Sequence, residues 1–165
     1  MDKNRENRER GRRNQRMGKS GEEKAARALG RLGLLMIEEI GTPFKIVATK
    51  EQGNFKWHRI KWGKKVSADH TALMPNSGGR RVLIEVKSTQ KRENLIWSKL
   101  EDHQPQRLTM NVEHGAVSLL VWVRLDVGVV NIMQWPVPGF RKGRGGGITP
   151  ERADELNIES LDELR

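Results

Sequence analysis

Residues 66–90 read VSADHTALMPNSGGRRVLIEVKSTQ. Two runs of apolar and β-branched residues flank Asn76-Ser77-Gly78-Gly79, a turn-forming cluster. The stretch therefore predicts a β-hairpin, with Asp69 on its first strand and Glu85-Val86-Lys87 near the end of its second. Side chains alternate across a strand, which puts Arg81, Leu83, Glu85 and Lys87 on one face and Val82, Ile84 and Val86 on the other. One face packs and the other carries charge. An aspartate, a glutamate and a lysine converging at strand ends suit the holding of a divalent cation and a water beside a phosphodiester.

The chain around this stretch is basic. Its 165 residues suit one compact domain with arms, and 31 Lys+Arg against 21 Asp+Glu give a formal charge of +10. The imbalance is uneven: residues 1–20 carry 8 basic and 3 acidic groups, residues 45–65 carry 7 and 1, and residues 151–165 carry 2 and 6. Clustered Lys and Arg release condensed counterions from a phosphate backbone, so a polyanionic partner is expected. A structural RNA-binding protein meets the same charge pattern. The absence of cysteine excludes disulfides and thiolate metal sites. The N-terminus has no signal-like apolar run and no stretch reaches membrane-spanning length, so a soluble, intracellular (cytoplasmic) protein is expected.

Residues 1–17 are almost wholly polar and predict a disordered basic arm, with Arg12 and Arg13 as candidate nucleic-acid contacts. Ser20 followed by Glu23 reads as a capping box that starts a helix, with Ala25, Ala26, Leu29 and Leu32 on one face and Glu22 in its first turn. An extended segment over 36–47 is broken at Gly41-Thr42-Pro43. Residues 48–65 predict a protruding basic and aromatic hairpin. As a strand, Phe55, Trp57, Arg59 and Lys61 share one face and Lys56, His58, Ile60 and Trp62 the other. Such a ribbon can stack on bases and neutralise phosphates, with Lys64 and Lys65 adding charge; equally, its aromatics can cover a core.

Asp102 is the expected N-cap of a helix over 102–113 that carries Gln104 in its first turn. Residues 116–125 predict a central strand, and residues 129–135 the next one across Asp126-Val127-Gly128. Residues 139–165 follow a core domain of 18–138 and predict a flexible Gly-rich basic linker, then a short acidic helix with Thr149 as N-cap and Pro150 at its first position. His58, His70, His103 and His114 lack ligand spacing, and His70 is expected on the opposite face from Asp69. The element order predicts an α/β fold around a mixed sheet.

Asp69 followed by Glu85-Val86-Lys87 on the next strand resembles the PD-(D/E)XK nuclease superfamily. Four further matches point to its RecU-like Holliday-junction resolvases, and more distantly to the archaeal junction resolvases. GEEKAARAL resembles their first helix, GTPFKIV the segment leading into their stalk, Ser67-Ala68-Asp69 their approach to the metal-binding aspartate, and Asp102-His103-Gln104 their His-Gln helix. The turn between Asp69 and Glu85 is longer than is usual in that family, and the acidic tail has no counterpart in the resemblance.

The resemblance implies a restriction-endonuclease-like sheet flanked by helices, with residues 48–65 as a projecting stalk. It implies Mg²⁺, with Mn²⁺ as substitute, held by Asp69, Glu85, the Val86 carbonyl and Glu22. Lys87 would orient the attacking water, Gln104 would hydrogen-bond it, and Ser67 would touch the scissile phosphate. It implies a homodimer nicking two symmetry-related strands of branched double-stranded DNA, with Lys56, Trp57, Arg59, Lys61, Trp62, Lys64 and Lys65 entering the junction. The reading requires Glu22, Asp69, Glu85, Lys87 and Gln104 to converge. A restriction-like or repair endonuclease acting on linear duplex and a non-enzymatic basic nucleic-acid-binding protein are the alternatives.

Overall fold

A computed structural model describes residues 3–40, 44–52, 55–62, 69–90 and 93–164. The elements in chain order are α1 (Lys3–Leu32), β1 (Leu35–Glu39), β2 (Phe44–Gln52), β3 (Phe55–Trp62), β4 (His70–Leu73), β5 (Arg81–Thr89), α2 (His103–Glu113), β6 (Val117–Arg124), β7 (Val129–Gln134) and α3 (Pro150–Glu155). Short 3₁₀ turns lie at Trp97–Lys99 and Leu161–Glu163. The main sheet has the order β1-β4-β5-β6-β7, with β5 and β6 parallel and the other pairs antiparallel. The fold is α/β, a five-stranded mixed sheet between helices. Among the described residues no helix is long and apolar enough to cross a membrane.

The hairpin of β4 and β5 is fixed by its turn. Asn76, Gly78 and Gly79 take positive φ, and the Ser77 hydroxyl donates to the Met74 carbonyl at 2.6 Å and accepts the Arg80 N–H at 3.0 Å. Pairing of Thr71 with Leu83 and of His70 with Ile84 then sets the faces. Val82, Ile84 and Val86 pack against Ala25 and Leu29 of α1. On the other face Leu83 packs into the cluster of Leu108, Leu120 and Trp122 beneath α2. Strand β6 is buried along its whole length, which explains its unbroken apolar run: it is covered on both faces and flanked on both edges.

Helix α1 is longer than the sequence suggests. Residues 3–17, expected as a disordered arm, form its first half, and Ser20 sits within it rather than capping it. Lys, Arg, Glu and Gln are good helix formers, and no proline interrupts the run, so propensity carries the helix where burial cannot. Gly21 fixes its position on the sheet: a Cβ there would lie 1.7 Å from the Ser88 hydroxyl oxygen of β5.

Two further local expectations give way. Asp102 stands at the N-cap position of α2 as expected, but it adopts helical angles and makes no capping bond; instead Gln104 Oε1 accepts the Glu101 N–H at 2.8 Å. The segment 140–147 is packed, not a loose linker: Phe140 and Ile148 are buried, Arg141 N–H donates to the Gly146 carbonyl, and Ile148 bridges Leu95. The acidic C-terminus belongs to the same core. Thr149 caps α3 as expected, Ala153, Ile158 and Leu164 are buried, and Asn157 and Ile158 hydrogen-bond Ile132 along the outer edge of β7.

Strands β2 and β3 pair antiparallel in a separate two-stranded sheet that begins at Phe44, ahead of the expected start at residue 48; residues 63–65 lie outside the described residues. The backbones of Lys56, Trp57, Arg59, Lys61 and Trp62 lie on β3. The expected break at Gly41-Thr42-Pro43, and Lys64, Lys65 and Ser67, fall outside the described residues.

Candidate functional site

The described ladder between β4 and β5 ends at His70 and Ile84, while β5 runs on to Thr89 beside β6. Beyond that point Asp69 takes the place of a strand neighbour: its Oδ2 accepts the Val86 N–H at 2.9 Å. The N–H and C=O of one strand residue face the same side, so the Val86 carbonyl lies on this edge too. The register carries Asp69 to the level of Glu85 and on to the same face of the sheet.

Glu85 is wholly buried, and Lys87 Nζ donates to its Oε1 at 2.6 Å. Burial, and then the neighbouring Asp69 carboxylate, push the Glu85 carboxyl up to about 8 from 4.5, against the opposing pull of Lys87. Glu85 Oε2 is buried without a hydrogen-bond partner. Two carboxyl groups thus meet in a water-poor place beside one lysine.

Of the five side chains expected to converge, Asp69, Glu85 and Lys87 are together. Glu22 is half-buried on α1, one residue beyond the Gly21–Ser88 contact, and it does not join Asp69 and Glu85 in a metal-binding group. Among the described residues no set of three His, Cys, Asp or Glu side chains is so placed. Gln104 is buried at the start of α2 with its carbonyl oxygen turned to Glu101, which leaves its NH₂ as the donor for any water. His70 pairs with Ile84 on the α1 face, away from Asp69, and its Nδ1 is buried without a partner. Arg12 and Arg13 are exposed on α1, and Arg13 Nη2 donates to Gln90 Oε1 at 3.0 Å.

Sequence reasoning missed the network that supports the end of β5. Trp122, at the level of Lys87 on β6, donates its indole N–H to Thr89 Oγ1 at 3.1 Å. Arg124 lies over the Trp122 ring, 5.7 Å from its centroid, and pairs with Asp154 of α3, which also accepts from Asn131 at 2.9 Å. No spacing in the sequence signals it, because its members come from four separate elements. A search of protein families and of curated proteins finds no match for the chain.

Proposed function

We propose that the protein is a divalent-metal-dependent, structure-selective endodeoxyribonuclease that resolves four-way DNA junctions by paired symmetric nicks. The observation that carries the reading is the group of Asp69, Glu85 and Lys87 at the point where β4 ends and β5 continues. The residues suit a hard cation. Asp69, Glu85 and the Val86 carbonyl offer oxygen donors only, and the buried Glu85 carboxyl lies beside that of Asp69, where added positive charge is favoured. Mg²⁺, or Mn²⁺ in its place, would neutralise the scissile phosphate and acidify a water when bound there.

The chain's own groups do the rest. Lys87, held in place by Glu85, is the donor that orients the attacking water and meets the charge growing on the phosphate. Gln104 would hydrogen-bond that water through its free NH₂ if the substrate brings the two together, and it cannot act as a base, since an amide takes up no proton. Glu22, which does not join Asp69 and Glu85 in a metal-binding group, would take part only through an intervening water. Two nicks on symmetry-related strands call for a C2 homodimer, and the β2–β3 hairpin is the element we assign to the junction centre.

The test is a labelled synthetic four-way junction beside a linear duplex of the same sequence, with Mg²⁺, Mn²⁺ or EDTA. Metal-dependent paired nicking of the junction is expected, with Asp69→Asn and Glu85→Gln each inactive yet still binding. Equal cleavage of the linear duplex would replace junction selection with the linear-duplex endonuclease reading. Absence of metal-dependent nicking would leave a DNA-binding protein.

A further inference from the structure

The first half of α1 and the ends of β5 and β6 enclose a groove lined by Glu9, Arg12, Arg13, Arg16, Lys24 and Gln90. Met17, Ser20 and Leu125 complete its lining, so four of the nine side chains are cationic. The groove is built on fixed parts: Gly21 seats α1 on Ser88, and Arg13 is hydrogen-bonded to Gln90. Gln90 follows the last residue of β5, three positions beyond Lys87, or about 10 Å at the rise of an extended chain. Cationic side chains therefore stand at the end of the strand that bears the candidate catalytic lysine.

We infer that this groove binds the sugar-phosphate backbone of the DNA strand next to the scissile bond, through Arg12, Arg13, Arg16 and Lys24. The inference rests on the nucleic-acid substrate proposed above and assigns it a second contact surface. An acidic protein segment offers the same sign of charge, but the chemistry favours a nucleic acid. Guanidinium forks match phosphate oxygens two at a time, and Arg12 and Arg16 lie one turn apart on one helix with Arg13 beside them. The first half of α1 is also exposed, so it is a helix held by little burial. Neutralising its crowded cations removes like-charge repulsion along it.

The experiment measures binding of a fluorescent short duplex by anisotropy in EDTA across a salt series, so that no cleavage is needed. The variant is Arg16→Gln with Lys24→Gln, and the control is Arg141→Gln with Lys142→Gln on the 140–147 loop. Glutamine keeps helix propensity, and circular dichroism confirms that the variant folds. The slope of log Kd against log salt is expected to fall by about 1.8, or about 0.9 for each lost phosphate contact, with the control slope unchanged. An unchanged slope in the groove variant, or an equal fall in the control, overturns the inference. Nicking in Mg²⁺ is scored separately. A protein that binds through the groove but never nicks disproves the nuclease reading alone, and a nicking protein with an unchanged slope disproves the groove alone.

Discussion

Glu85 is the residue on which the site turns. Its carboxyl has an ordinary value of 4.5 unfolded and about 8 folded, so between those values the folded protein holds a proton that the unfolded chain has released. The contribution of Glu85 to the stability of the metal-free protein is therefore fullest below about 4.5 and declines as pH rises toward 8. Glu85→Gln removes that dependence. In EDTA its Tm should match the parent's at low pH and exceed it above pH 8, whereas added Mg²⁺ should raise Tm only in the parent. A parent Tm that climbs relative to the variant from pH 5 to 8 would show that the buried pair is not the source. The charged face is legible in the alternating pattern of residues 81–87, because strand geometry leaves no other choice once the turn is known. The burial of Glu85 is not, since it depends on Leu120 and Trp122 of a strand more than thirty residues away.

At the scale of elements, the contact between α1 and β5 is a backbone-close one. Gly21→Ala should destabilise by about 1–3 kcal/mol, because the added methyl meets both Oγ and Cβ of Ser88, and Ser88→Gly should recover part of the loss. Thermal melts of the two single variants and the double variant measure the coupling. The reading of Ser20 and Glu23 as a helix start failed here for a physical reason. A capping signature marks a start only where the preceding residues leave the helix, and the Arg, Lys, Glu and Gln side chains that dominate residues 3–19 keep them in it despite Gly11 and Gly18. Their lack of apolar side chains argues against burial, not against helicity. A second coupling joins α3 to the strand ends. Asp154→Ala strips the counter-charge from the nearly buried Arg124 and should cost about 1–2 kcal/mol, less than a fully enclosed pair because Asp154 is half exposed. Double-mutant analysis with Trp122→Phe should show non-additive melting if Arg124 transmits the effect to Trp122 and Thr89. Simple addition would disconnect them.

For the molecule as a whole, the order of strands and helices followed from the pattern of apolar runs, while the integration of the C-terminus did not. Gly-rich and acidic stretches look dispensable by composition, yet Phe140, Ile148, Ile158 and Leu164 each fill a core on one face of the sheet or the other. Single apolar anchors spread over twenty-five residues carry no period for the sequence to reveal. Truncation after residue 147 should therefore give insoluble protein, since it uncovers both cores and the outer edge of β7, and a sedimentation assay of expressed material decides it. The same C-terminus has a kinetic consequence. Glu155 and Glu163 lie beside Gln134, Trp135 and Pro136, at the end of the sheet opposite Gln90 and Leu125, where the arginines of α1 gather. The groove of α1 therefore draws a polyanion to it while Glu155 and Glu163 repel one where they stand, so DNA should be captured at the groove at a rate that falls steeply as salt shortens the reach of those charges.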